Sequence, residues 1–176
     1  MAHRAQKEWC MKLKNKRPKY FVDKKVLDVG ALDVNGNNRH LFEDCEYIGL
    51  DVSKGKNVDV VSVAHEYEPD KLFDVVLSTN ALEHDMYLDL TLNKMVDLLK
   101  PNGFMFFTAG HKYKEHGTER TTPQDSGTSH MGKEWKNYYK NLNKEDITNI
   151  LDLDKLFTQY KLNTQGKDLR FWGIKK

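Results

Sequence analysis

Between residues 25 and 110 the chain alternates short apolar runs with polar connections. "VLDVG" (26–30), "EYIGLDV" (46–52), "VDVVSVA" (58–64), "FDVVLSTN" (73–80) and "FMFFTAG" (104–110) are each short and rich in β-branched or aromatic residues. Their length and composition predict buried strands. A different period separates the fourth run from the fifth. Leu88, Leu92, Met95, Val96 and Leu99 fall on one face of a 3.6-residue repeat, which predicts a helix stopped by "PNG" at 101–103. "NNRHLF" (37–42) reads as a short helix, and "NKEDITNIL" (143–151) as a helix with Asn143 at its cap. "FTQYKLNT" and "LRFWGIK", split by "QGKD", read as a closing hairpin.

Apolar strands alternating with connections predict a doubly wound, Rossmann-like α/β fold, its mostly parallel sheet covered on both faces. In such sheets ligands bind beyond the carboxyl ends of the strands. The polar clusters follow strands: 28–38, Asp51, 64–66, 80–85 and 111–130. They are therefore expected to converge on one edge.

Composition adds bounds. The 176 residues suffice for one domain with a core, and 39% hydrophobic content is within the globular range. No apolar run approaches 18 residues and no apolar leader precedes a cleavage site, so neither a membrane partner nor secretion is expected. Cys10 and Cys45 form no framework and no CxxC pair, which suits reduced thiols in a cytoplasmic protein. The net charge of +2 conceals an asymmetry: residues 1–25 hold nine Lys and Arg against two acids, and the remainder 19 against 24. Residues 1–23 are thus a basic N-terminal arm, with one short helix before Pro18, and 24–176 the folded domain.

The turn after the first strand, "GALDVNG", carries neither the GK[ST] ending of a phosphate loop nor GxGxxG. Asp28 and Asp33 flank Gly30, and two carboxylates repel a pyrophosphate while favouring a cationic group. Asn35 and Gly36 accept left-handed backbone, so the loop can still turn sharply. Asp51 follows Gly30 by 21 residues at the end of the second strand, the spacing of a carboxylate that accepts from a ribose diol. An adenosine-like ligand with a cationic part and no pyrophosphate fits, and S-adenosylmethionine (SAM), yielding S-adenosylhomocysteine (SAH), has that chemistry.

"VLDVGALDVNG", "YIGLDV", "FDVVLSTNALEHD" and "LLKPNGFMFFTAG" together resemble the class I SAM-dependent methyltransferases, in particular the small type-11-like branch, over residues 24–175. The resemblance implies a seven-stranded sheet ending in the antiparallel hairpin. It implies that Asp28 and Gly30 line the methionine end of the cofactor, with Ala31, Asp33, Asn35 and Gly36 of the same turn also binding it. By the same carry-over Asp51 holds the ribose, Val52 packs on adenine, Ala64 and His65 border the adenine edge, and Asn80 lies near the methyl group. Two departures stand out. The family's further glycines fall at Leu32 and Val34 here, and its Asp before Ala64 is Val63.

In "NALEHD", Glu83 and His84 are placed beside the expected methyl group, with His84 the first choice for a base or substrate contact. The competing reading is a helix-start histidine whose acidic neighbours act on the helix dipole. The polar loop 111–132 is long for a compact domain and reads as a lid bringing His111, Glu115, His116 and Arg120 to a polar, anionic substrate. Its "EHGTERTTPQDS" is similar to a stretch in small bacterial methyltransferase-like proteins associated with glycan modification. Histidines 111 and 116 are spaced five apart without supporting cysteines, so no metal site is expected.

The leading expectation is methyl transfer to a small polar acceptor such as a sugar or glycan precursor. Two alternatives stay open. In one the basic arm, with Trp9, Tyr20 and Phe21, binds nucleic acid, although "STNALE" lacks the proline pair of base-amine methyltransferases. In the other the domain is a non-catalytic partner protein on the same scaffold.

Overall fold

Strand residues that alternate between two apolar faces need cover on both sides, and a computed structural model, describing residues 4–115 and 127–176, shows how this short chain supplies it. Seven strands form one sheet: β1 (Lys25–Val29), β2 (Glu46–Asp51), β3 (Val60–Val61), β4 (Phe73–Thr79), β5 (Leu99–Gly110), β6 (Phe157–Gln165) and β7 (Asp168–Lys175). Their order is β3-β2-β1-β4-β5-β7-β6. The first five run parallel, and β7 is antiparallel to both β5 and β6. The expected closing hairpin is therefore inserted, with its second strand against β5.

The faces divide by alternation along β5. Met105 and Phe107 point to one core with Leu27, Leu50 and Val76. This face is covered by α2 (Leu88–Asp97), which buries Leu92, Met95 and Val96, by α4 (Lys144–Thr148) through Ile147, and by α5 (Leu153–Leu156) through Leu153. A four-residue helix, α3 (Lys133–Lys136), lies between α2 and α4 in the chain. Asn143 caps α4 as expected: its side chain accepts from the Asp146 N–H and Asp146 accepts from the Asn143 N–H.

Phe104 and Phe106 point to the opposite core with Val26, Val75 and Leu77. Here the β1–β2 connection forms only a 3₁₀ turn at Arg39–Leu41. The cover comes from α1 (Arg4–Lys16), whose Gln6, Cys10 and Leu13 are buried at i, i+4 and i+7. Tyr20 stacks on Phe104 with centroids 4.9 Å apart, Phe21 on Phe42 at 4.8 Å, and Trp9 meets Phe106 edge-on at 6.1 Å. The rings read as base-stacking candidates thus pack into the protein, and the basic residues decorate the outer side of a core helix. Burial of Tyr20 and Phe21 contributes about 1.5–3 kcal/mol each.

Two boundaries differ from expectation. Of 58–64 only Val60 and Val61 pair as a strand, because β3 is an edge and Val61 is 55% exposed; Ala64–Glu66 form a 3₁₀ turn. Strand β5 starts at Leu99 rather than Phe104, with a register break against β4 between Phe73 and Val75 that absorbs "PNG". Among the described residues no helix is long and apolar enough to cross a membrane.

Candidate active site

All five clusters expected to converge contribute to one cavity of about 360 Å³ beyond the carboxyl ends of β1, β2 and β4. Its floor is the turn after β1. Gly30 adopts φ +75°, and a Cβ there would stand 2.2 Å from the Ala81 Cβ, so the turn can approach β4 only with glycine. The Gly30 and Ala31 N–H groups both donate to the Leu50 carbonyl, at 2.9 and 3.1 Å, which ties the turn to β2. Leu32 takes the place of a family glycine without strain at its own backbone. Its side chain packs toward Gly55, the Cδ1 lying 2.3 Å from where a Cβ would stand.

Asp51 ends β2 with a buried carboxylate. Oδ2 accepts from the Leu32 N–H at 3.0 Å and Oδ1 from the Ser53 N–H at 3.0 Å. Burial raises its pKa, and these backbone donors oppose the rise. Each oxygen keeps acceptor capacity toward the cavity, as a vicinal diol requires. Gly127 crosses directly above: a Cβ there would lie 2.7 Å from Asp51 Oδ1. The crossing is latched by Ser53, whose hydroxyl donates to the Gly127 carbonyl at 2.7 Å and lies 3.0 Å from His130 Nδ1.

Asp28 is buried under β1. Tyr47 donates to its Oδ2 at 2.6 Å, while Oδ1 has no hydrogen-bond partner. Burial, partly opposed by the Tyr47 hydroxyl, pushes its pKa up to about 7. A buried carboxylate oxygen with capacity to spare, on a cavity wall, suits the cationic end of SAM. The residues present therefore fit that cofactor: an acceptor pair for the ribose at Asp51, an acid for the ammonium at Asp28, and a glycine turn between them.

The other end of the cavity is lined by Glu83, His84 and Asp85 after β4, and by three aromatic residues that sequence reasoning missed: Tyr113, Trp135 and Tyr139. Trp135 and Tyr139 lie in "KEWKNYYKN", a stretch too polar and too short in period to register as core or helix. An aromatic cluster in a polar loop was the available signal. The rings are fixed from behind. Trp135 Nε1 donates to the His84 carbonyl at 3.0 Å, and the Tyr113 hydroxyl to Asp168 Oδ1 at 2.9 Å. Asp168 in turn is paired with Arg170 at 2.9 Å, both buried. Burial, then the Asp168 and Glu83 carboxylates, raise the Tyr113 pKa; burial and Glu83 do the same for Tyr139.

Of the residues chosen from sequence, Asp28, Gly30, Ala31, Asn35, Gly36, Asp51, Val52, Ala64, Asn80, Glu83 and His84 line this cavity. Asn80 does so at φ +51°, its N–H donating to the Thr108 carbonyl and its Oδ1 accepting from the Thr108 hydroxyl. Four do not. Asp33 turns back to accept from the Gly36 N–H and Asn37 Nδ2 and to pair with Lys56, which shapes the turn. His65 packs its ring 5.2 Å from that of Tyr87. His111 Nδ1 lies 2.8 Å from the Leu142 carbonyl, tying the end of β5 to the chain before α4. Glu115 is exposed. His116 and Arg120 lie outside the described residues, as does the middle of the lid loop.

A sheet in the order 3-2-1-4-5-7-6 with an acidic residue ending its second strand defines a class I SAM-dependent methyltransferase. A family profile described as a methyltransferase domain matches residues 1–157. The chain belongs to that family. Solved structures with the same fold include the SAH complex of the N-methyltransferase NodS from Bradyrhizobium japonicum. It is 14% identical with a TM-score of 0.60, over 97% of this chain and 87% of that one. Another is 1,6-didemethyltoxoflavin-N1-methyltransferase from Burkholderia thailandensis, bound to its substrate and SAH: 13% identity, TM-score 0.63, 94% of this chain and 76% of that one. A third is the PH0226 protein of Pyrococcus horikoshii at 16% identity, TM-score 0.62, with 99% and 92% covered. A search of curated proteins gave no match.

Proposed function

We propose that the chain transfers the methyl group of SAM to a small polar acceptor, such as a sugar or glycan precursor, seated at the Glu83–His84 end of the cavity. The observation that carries this reading is the continuity of one cavity from Asp51 to Glu83 and His84. A donor anchored at one end and an acceptor at the other would meet near Asn80.

The sulfonium of SAM supplies an activated methyl carbon, so the protein's task is mainly positioning. Asp51 accepts from the ribose hydroxyls, and Asp28 faces the ammonium. Gly30 lets the backbone approach the methionine end, with Ala31, Asn35 and Gly36 completing that wall. Val52 and Ala64 give the adenine apolar contact, and Asn80 borders the transferred methyl. His84 is the base that removes the acceptor's proton, and Glu83 orients the acceptor. In this reading the Gly127–His130 turn, held by Ser53, completes the roof over the ribose.

Calorimetric titration with SAH tests the donor half. Micromolar binding is expected, weakened 10- to 100-fold in Asp51→Ala, since a hydrogen bond to a charged group contributes about 1.5–3 kcal/mol. Undiminished binding in that variant refutes the assigned role. Turnover with nucleotide-sugars, followed as SAH release, tests the acceptor half.

A further inference from the structure

We propose that Tyr47 is a positioning residue of the donor site: it leaves one Asp28 oxygen as the receptor for the ligand's ammonium group, and binding there expels a proton from Asp28 to solvent. The inference rests on the reading that the Gly30–Asp51 end of the cavity holds the donor.

The geometry comes from strand pairing. Val26 lies opposite Tyr47, and Asp28 opposite Gly49, in the parallel pair β1–β2. Side chains two residues apart on a strand share a face. The Tyr47 ring therefore runs toward Asp28 past Gly49, which has no side chain, and its hydroxyl donates to Asp28 Oδ2 at 2.6 Å. The ring is held in place: Phe42 meets it edge-on at 5.4 Å, and the Arg39 guanidinium lies 4.6 Å over it. Burial, then the Asp28 charge, raise the Tyr47 pKa well above its usual value, so the hydroxyl stays a donor. With Oδ2 taken, Oδ1 has no partner, on a side chain that is 3% exposed and lines the cavity.

The groups around Asp28 leave its charge uncompensated. Asp51, at the end of β2, is a second carboxylate and disfavours a charge on Asp28. Arg39, from the β1–β2 connection, favours one, but its guanidinium is committed to Asn57, the Tyr47 carbonyl and Asp59. From α1 comes Cys10, a buried thiol pushed up to about 12 and so uncharged. Beyond it Arg170 of β7 is paired with Asp168. Leu77 of β4 stands opposite Asp28 and brings no charge. Burial dominates, and Asp28 keeps its proton up to about pH 7.

An arriving ammonium is the missing cation. Beside Oδ1 it favours the carboxylate, as an opposite charge in hydrogen-bond contact does. The step balances: the ligand nitrogen keeps its own protons, the Asp28 proton passes to the buffer, and an ion pair replaces a neutral acid. Because binding lowers the pKa of Asp28, affinity rises with pH through the ligand-free value.

Calorimetric titration with SAH, in two buffers of different ionisation enthalpy, counts the protons released. A group titrating near 7 predicts about 0.9 proton at pH 6 and about 0.1 at pH 8, with affinity rising about tenfold between them. 5′-Methylthioadenosine keeps the adenosine and the thioether but lacks the ammonium, and is expected to release none. Asp28→Asn is expected to abolish the release with SAH and to flatten the pH dependence. Tyr47→Phe removes a donor that favours the charged form, so the midpoint of the affinity–pH curve is expected to move upward and release at pH 8 to grow. A merely structural defect would weaken SAH equally at both pH values and leave the midpoint in place, which would overturn the role of Tyr47. Absence of SAH binding to the wild type at either pH overturns the donor reading and this inference with it. SAH binding without proton release at pH 6, or with equal release from 5′-methylthioadenosine, overturns this inference alone. That comparison of ligands uses the wild type and decides the matter even if a variant fails to fold.

Discussion

Replacing Asp28 by asparagine is expected to stabilise the protein increasingly as the pH rises. The carboxylate is 3% exposed, one oxygen has no partner, and its pKa is about 7. In the unfolded chain an aspartate titrates near ~3.9. Because the folded value is the higher one, the folded state holds the proton more tightly. The associated stability is fully present below the unfolded pKa and is lost as the pH rises through the folded one. The full loss is on the order of 4 kcal/mol, from a separation of about three pKa units at 1.36 kcal/mol each. Between pH 5 and pH 8 the loss is about 2–3 kcal/mol. For a domain of this size that corresponds to about 5–10 °C in Tm. Asparagine keeps an acceptor for the Tyr47 hydroxyl and carries no charge. The assay is thermal unfolding of both proteins across this pH range. The quantity read is the difference in Tm between variant and wild type, in which every shared titrating group cancels. A constant offset between the two proteins, from a weaker hydrogen bond in the variant, does not alter the slope. A difference independent of pH would refute the argument that Asp28 is a desolvated, high-pKa acid.

Three further outcomes are expected. Gly30→Ala forces an alanine to φ +75° against Ala81, and chemical denaturation should show a loss of at least about 1–3 kcal/mol. Gly127→Ala places a methyl group against the Asp51 carboxylate, so SAH affinity measured by calorimetry should fall with little change in Tm; unchanged affinity would remove the turn from the cofactor site. Leu13→Ala should cost about 2–5 kcal/mol in urea unfolding, because the helix is a wall of the core; a loss near zero would mean that α1 is a detachable arm.

Much of this was legible along the chain. Each strand of the parallel half declared itself as an apolar run, and Gly30 just after β1 and Asp51 at the end of β2 are marked by their place at strand ends. What escaped detection depended on partners far away. Residues 1–23 read as an arm because Lys and Arg outnumber its apolar residues, yet only Gln6, Cys10 and Leu13 need face inward on α1. Asp33 and His65 sit among true lining residues, and only the direction of each side chain separates them from the cavity. Tyr113, Trp135 and Tyr139 were hidden because neither a loop nor the single turn of α3 is long enough to show a period.

The way α1 is used bears on how the chain is assembled. The helix is synthesised well before β5 and β7, and its contacts are with them. Tyr20 reaches the Asn102 carbonyl 82 residues away, Arg17 lies 3.6 Å over the Trp172 ring, and Arg170 stands over Trp9. On a ribosome, then, α1 emerges before the strands it packs against. Until β7 pairs with β5, that edge of the sheet is open and Arg17 and Trp9 lack their partners Trp172 and Arg170. Pairings of such long sequence separation slow folding and leave sticky intermediates open for longer. A nascent chain lacking β7 would leave the β5 edge unpaired, which makes that edge the natural place for a chaperone to hold this protein.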